Sequence, residues 1–174
     1  AGNVPCYVHK SKGGEIGEVA EMIVTSKCFD YGTACVSEQA VIADPEIARE
    51  LRQEMKMRGA YFCTLAESDR LSKVIFTGKQ AMNAERVGQS PQALADAAGF
   101  SIPPKTRCLV SEETEIGWHR PLSAEKLNPV LAFYEVRDSQ HGIEMSINIA
   151  KFEGWGHSAC LHSNDPEIVA QFAA

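Results

Sequence analysis

Six cysteines and five histidines are the side chains here best suited to covalent or metal chemistry, and most of them stand far apart in the chain. Cys35, in the run FDYGTACVSEQA (29 to 40), has the most suggestive neighbours. A reactive thiol needs its pKa drawn below the free value of about 8.5, and backbone N–H groups at a turn or helix N-terminus do this by favouring the anion. The pattern predicts that the preceding helix ends at Gly32 and leaves Cys35 on a turn with such N–H groups nearby. The same amides would hold an oxyanion on a carbon bonded to the sulfur. These residues permit a nucleophile at Cys35 but do not demand one, and one more small core residue is the plainer reading. Cys6, Cys28, Cys63, Cys108 and Cys160 form no CxxC pair, so they are predicted to be buried thiols in a reducing compartment, with no metal site and no redox disulfide.

The histidines divide similarly. His157 and His162 share GHSACLHS (156 to 163) at a spacing of five, which on a strand would send them to opposite faces and argues against a shared metal. His119, between Trp118 and Arg120, is predicted on a surface or interface loop, and His9 and His141 belong to no constellation.

The elements that must carry these residues alternate in type. PCYVH, QAVIAD, AYFCTL, TRCLVS, NPVLAFYEV and GHSACLHS read as short apolar strands. Between them lie helical patterns. Ile16, Val19, Ala20 and Ile23 form one stripe, and Asp44 as N-cap with Pro45 at the first position starts a helix to about Arg58. AESDRLSKVIF makes another helix, and Ser90, Pro91 and Gly99 bracket the next. SQHGIEMSINIAKFEG is helical despite Gly142, and Asp165 and Pro166 open the last helix. This order predicts an α/β fold, a three-layer open sheet with helices on both faces.

At 174 residues the chain is sized for one domain, and 44% hydrophobic residues suffice for a core. The net charge of -6 and scattered basic residues argue against nucleic acid as partner, since phosphate binding wants concentrated Lys and Arg. RQEMKMR (52 to 58) reads as a solvated helix face. Without an apolar run of about 20 residues or a leader, the expectation is a cytoplasmic protein away from membranes. The chain opens on AGNVP with no element before it and ends in a helix without a stop signal, so residues 1–174 are expected to be a domain of something longer.

AGNVP, SKCFDYGTACVSEQA, EKLNPVLAFYEVRD and GHSACLHS occur in an order that resembles the aldehyde dehydrogenase superfamily, and more closely its CoA-acylating branch. That branch includes the acetaldehyde dehydrogenase half of bifunctional aldehyde-alcohol dehydrogenases and the propionaldehyde and sulfoacetaldehyde dehydrogenases. The resemblance implies a catalytic, nucleophile-bearing domain in which Cys35 attacks an aldehyde, hydride passes to NAD or NADP, and the resulting thioester is transferred to coenzyme A. It further implies that Glu125 holds the nicotinamide ribose, as the glutamate of EEIFGPV-type motifs does. Leu127 stands where hydrolytic members keep a phenylalanine near the nicotinamide, and His157 acts near the thioester or CoA. No G-x-G-x-x-G opens a βα unit, so the cofactor-binding domain is expected outside these residues. The glutamate of ELGGK with which hydrolytic relatives activate water would fall two residues before Ala1. A hydrolytic enzyme and a non-catalytic assembly domain of the same fold therefore stand as alternatives. A parent homo-oligomer, and a bacterial microcompartment as a further location, are also implied.

Overall fold

A computed structural model describes residues 2–174; Ala1, the first residue of the predicted opening turn, lies outside the described residues. The elements in order are β1 (Pro5–Val8), α1 (Ile16–Cys28), β2 (Ala40–Ala43), α2 (Pro45–Met57), β3 (Ala60–Phe62), α3 (Leu65–Ile75), β4 (Phe76–Thr77), β5 (Ala81–Met82), α4 (Pro91–Ala97), β6 (Cys108–Glu112), β7 (Val130–Glu135), α5 (Ser139–Lys151), β8 (Cys160–His162) and α6 (Pro166–Ala173). Six strands form one sheet in the order β3-β6-β7-β2-β1-β8, and every pairing within it is parallel. Helices on both faces explain why its central strands read as unbroken apolar runs, since each residue is buried whichever way it points.

Strand alternation sorts the core. Cys6, Val8, Val41, Ala43, Val110, Leu131 and Phe133 face α1 and α2, whose stripe Ile16, Val19, Ala20 and Ile23 is buried against them. Tyr7, Ala40, Ile42, Ala132 and Tyr134 face α5 and α6 on the other side. A third cluster gathers α3 and α4 over Leu109 and Val130. The three-layer expectation is met. Gly142 is required where α5 crosses Tyr7, because a Cβ there would stand 2.5 Å from the Tyr7 ring.

Three local readings change. Asp44 occupies the N-cap position of α2 but makes no side-chain cap bond. Its buried carboxylate instead accepts from Tyr7 Oη at 2.8 Å, Lys10 N at 2.9 Å and Ser139 Oγ at 3.1 Å. His9 Nε2 lies 3.7 Å from the same carboxylate, so His9, read as belonging to no constellation, is part of a buried cluster. The two-residue strands β4 and β5 form an antiparallel hairpin that no periodicity announces.

Two lysines are fully buried, Lys27 on α1 and Lys126 before β7. Burial drives the Lys27 ammonium down from its ordinary 10.5 to about 8. Between those values the unfolded chain binds the proton that the folded chain releases, so this position contributes stability that rises with pH across that window. Below about pH 8 the charge is retained and its burial is fully unfavourable, roughly 3 kcal/mol by the shift. Lys27→Met is expected to raise the urea midpoint at pH 7 and to flatten the gain between pH 8 and 10. Denaturation at several pH values checks this, and a lower midpoint with an unchanged pH profile contradicts it.

Candidate active site

Because all pairings in the main sheet are parallel, the segments that enter β7, β2, β1 and β8 lie side by side along its amino edge. Those four segments hold every residue singled out for chemistry. Glu125 and Leu127 precede β7, Cys35 precedes β2, Gly2 and Asn3 precede β1, and His157 precedes β8. At about 4.8 Å per strand, the Cys35 segment is a neighbour of the Glu125 segment and lies about 10 Å from that of His157.

The Cys35 loop is tightly shaped. After α1 ends at Cys28, a 3-10 turn spans Phe29–Gly32, with Asp30 (φ 46°), Tyr31 (φ 50°) and Gly32 (φ 73°) consecutively left-handed. Thr33 fixes this turn by donating its hydroxyl to the Asp30 carbonyl at 2.9 Å and to the Asp30 carboxylate at 2.8 Å. Gly32 packs on the segment before β7, where a Cβ would come 2.5 Å from the Asn128 carbonyl oxygen. Cys35 is exposed, unlike the other five cysteines. The N–H groups of Ala34, Cys35 and Val36 donate to no partner among the described residues. They match the free amides expected around this thiol.

Glu125 is buried at 8% exposure, and its Oε1 accepts from Gly2 N at 2.8 Å. Its Oε2 has no partner among the described residues. The His157 ring lies against the backbone of Gly2, leaving no room for a Cβ there. His157 is exposed and sits in the turn before β8, its N–H donating to Gly154 O at 3.1 Å. The strand-alternation argument about His157 and His162 therefore does not apply, since only His162 is on the strand. Leu127 is half-buried, with its carbonyl accepting from Gly88 N at 2.9 Å and its N–H facing Met82 Sδ at 3.3 Å. His119 is exposed beside Glu115 at 3.2 Å, away from this edge.

Several residues that hold the site were not read from the sequence. Gln39 Oε1 accepts from Lys126 N at 2.9 Å and from Lys27 Nζ at 3.3 Å. Lys126 Nζ donates to the carbonyls of Leu122 (2.6 Å), Ala124 (2.7 Å) and Gln39 (3.3 Å). Asn3 Nδ2 reaches the carbonyls of Ser123 (2.9 Å), Ile149 (3.2 Å) and Phe152 (2.9 Å).

No family model matches this chain. It is 38% identical over 181 residues to aldehyde-alcohol dehydrogenase 2 of Entamoeba histolytica, covering 99% of this chain and 21% of that protein. An acetylating aldehyde dehydrogenase from Geobacillus thermoglucosidasius superposes with a TM-score of 0.94 at 38% identity, over 98% of this chain and 37% of that one. A propionaldehyde dehydrogenase from Rhodopseudomonas palustris, solved with bound CoA and an acylated cysteine, superposes at 0.88 with 26% identity, over 99% of this chain and 38% of that one. In sequence and in fold the chain is similar to one segment of these aldehyde dehydrogenases. It spans about one fifth of the length of the bifunctional relatives it matches.

The six thiols of this chain differ in charge and access. Cys6 and Cys160 are neighbours: Cys160 and burial raise the Cys6 thiol, while Cys6 and His162 lower that of Cys160. Cys28 and Cys108 repeat the arrangement, Cys28 lowered and Cys108 raised. Burial pushes Cys63 up to about 12. Reactivity depends on thiolate character and on access together. Partial alkylation with iodoacetamide near neutral pH, read by mass spectrometry, is expected to label Cys35 first and half-buried Cys160 next, with Cys6 and Cys108 last. If Cys63 or Cys108 leads, Cys35 is not the nucleophile.

Proposed function

We propose that residues 1–174 are the nucleophile-bearing domain of a longer, NAD(P)-dependent, CoA-acylating aldehyde dehydrogenase, with Cys35 as nucleophile. The observation that carries this is the exposed Cys35 thiol, on a strained loop with three unbonded amides, held directly against the segment of Glu125 and Leu127. The Cys35 thiolate adds to the aldehyde carbon, and the amides of residues 34 to 36 stabilise the oxyanion that develops. A bound NAD(P)+ would supply the hydride acceptor; with hydride lost from that carbon, the oxygen returns to a carbonyl and a thioester is left on Cys35. The CoA thiolate attacks the thioester carbon and Cys35 leaves, giving acyl-CoA and the original thiolate.

The protein groups fit these partners. Glu125 Oε2, unengaged beside an occupied Oε1, is available to accept from a ribose hydroxyl. Leu127 offers an apolar side chain next to it, where a flat nicotinamide would rest. His157 is exposed two strands away from Cys35, a suitable place to assist the arriving CoA thiol. The relative solved with CoA and an acylated cysteine supports the same order of events. The six free thiols suit a reducing, cytoplasmic setting, and no described helix is long and apolar enough to cross a membrane. The parent enzyme is taken to be a homo-oligomer acting on a small aldehyde.

Full-length enzyme given aldehyde and NAD+ without CoA is expected to release about one equivalent of NADH per site and then nearly stop, because CoA is a far better acceptor than unactivated water. Adding CoA restarts turnover. Cys35→Ser abolishes the burst, while His157→Ala keeps it and loses part of the CoA-dependent rate. Steady NADH formation without CoA, with free carboxylate as product, assigns the enzyme to the hydrolytic branch instead; no burst and no turnover at all assigns a non-catalytic role.

Glu125→Gln keeps an oxygen for the Gly2 amide but loses the charge. It is expected to slow single-turnover NADH formation roughly 10- to 100-fold through misplacement of the cofactor. An unchanged rate leaves Glu125 with only its structural contact to Gly2.

A further inference from the structure

Cys6 on β1 and Cys160 on β8 are in register on adjacent parallel strands. His162 follows Cys160 by two residues, so on a strand its side chain leaves the sheet on the same face. The two Sγ atoms and a ring nitrogen of His162 all lie within 4.8 Å of one another, and Cys160 Sγ stands 3.7 Å from His162 Nε2. In a tetrahedral zinc site with Zn–S about 2.3 Å and Zn–N about 2.0–2.1 Å, neighbouring ligand atoms stand about 3.6 to 3.8 Å apart. The Cys160–His162 separation already matches such an edge, and the remaining separations need to close by about 1 Å at most.

We propose that Cys6, Cys160 and His162 bind one thiophilic divalent cation, with Zn2+ as the natural occupant. Two thiolates and an imidazole select Zn2+ or Cd2+ over the oxygen-seeking Mg2+ and Ca2+. Cys6 is fully buried and Cys160 and His162 are half-buried, so the ion sits under the sheet's surface with access from the β8 side. Three protein ligands leave a fourth position for water or an added thiol. This ion cross-links β8 to β1 and so fixes the turn from Gly154 to Ala159, which holds His157. The proposal uses none of the residues assigned above to the aldehyde reaction, and it stands or falls apart from that assignment.

The test uses the reduced, metal-stripped chain. Cd2+ is expected to produce a near-ultraviolet thiolate-to-metal band that saturates at one equivalent. Zn2+ is expected to displace it with a Kd of about 1 µM or tighter against a chromophoric chelator. Cys160→Ser and His162→Ala each weaken binding by about 100-fold, whereas Cys35→Ser leaves it unchanged. His162→Ala alters a half-buried ring at an edge strand and keeps the test available if Cys160→Ser fails to fold. In the unaltered chain, Zn2+ also protects Cys160 from iodoacetamide and leaves Cys35 reactive. Absence of the thiolate band, binding that survives His162→Ala, a band lost with Cys35→Ser, or equal labelling of Cys160 with and without Zn2+ each overturns the site.

Discussion

A buried lysine organises the amino edge of the sheet. Lys126 is fully buried, and an amine left without partners there would cost several kcal/mol. Three carbonyls surround its Nζ, from Leu122, Ala124 and Gln39, and those carbonyls can only be supplied if the segment before β7 curls back and meets the segment before β2. Gln39 completes the arrangement from the other side, its side chain accepting from the Lys126 backbone and from Lys27 on α1. The entry to β2, which carries Cys35, and the entry to β7, which carries Glu125 and Leu127, are thereby held in one relative position. Burial and the neighbouring Lys27 charge both push Lys126 well below the ordinary lysine range. A lysine there is costly compared with an apolar residue, and what it contributes is the fixed meeting of two loops.

Backbone strain acts on the same loop. Asp30 and Tyr31 adopt left-handed conformations that cost non-glycine residues of order 1–3 kcal/mol each. They persist because Thr33 binds Asp30 twice and because Gly32 is pressed against the Asn128 carbonyl. A loop held this way keeps its amides in place before any ligand arrives, so little reorganisation is left for the moment when charge develops near Cys35.

The helices and most strands could be read from the chain because their signals are local: the Ile16, Val19, Ala20, Ile23 stripe, the Ser90 and Asp165 caps, and the β-branched run before Asp44. Asp44 shows the limit of such signals. A residue of the right type at the right place took four partners from β1, its following turn and α5 instead of capping its own helix. The free amides around Cys35 were legible from its loop, while its role as nucleophile came only from the resemblance. What was not legible was its company, since Gln39, Lys126, Gly88 and Met82 reach the site only through a strand order that places β2 beside β7 and through a hairpin too short to carry a period. For the same reason Cys6 and Cys160, 154 positions apart, are neighbours that no spacing rule within the sequence pairs.

The two edges of the sheet have separate duties. At the carboxyl edge the strands turn into helices, and Thr64, Asp138 and Asp165 cap those helices while Asp44 gathers its buried cluster. At the amino edge, chain returns from helices and loops to enter strands, and Gln39, Lys126, Asn3, Lys27 and Glu125 carry buried hydrogen bonds there. Diversification of the fold can thus proceed on one side without touching the other. Libraries that vary Ala34, Val36 and Leu127 would reshape the surface around Cys35 on a framework whose helix caps are written along the opposite margin.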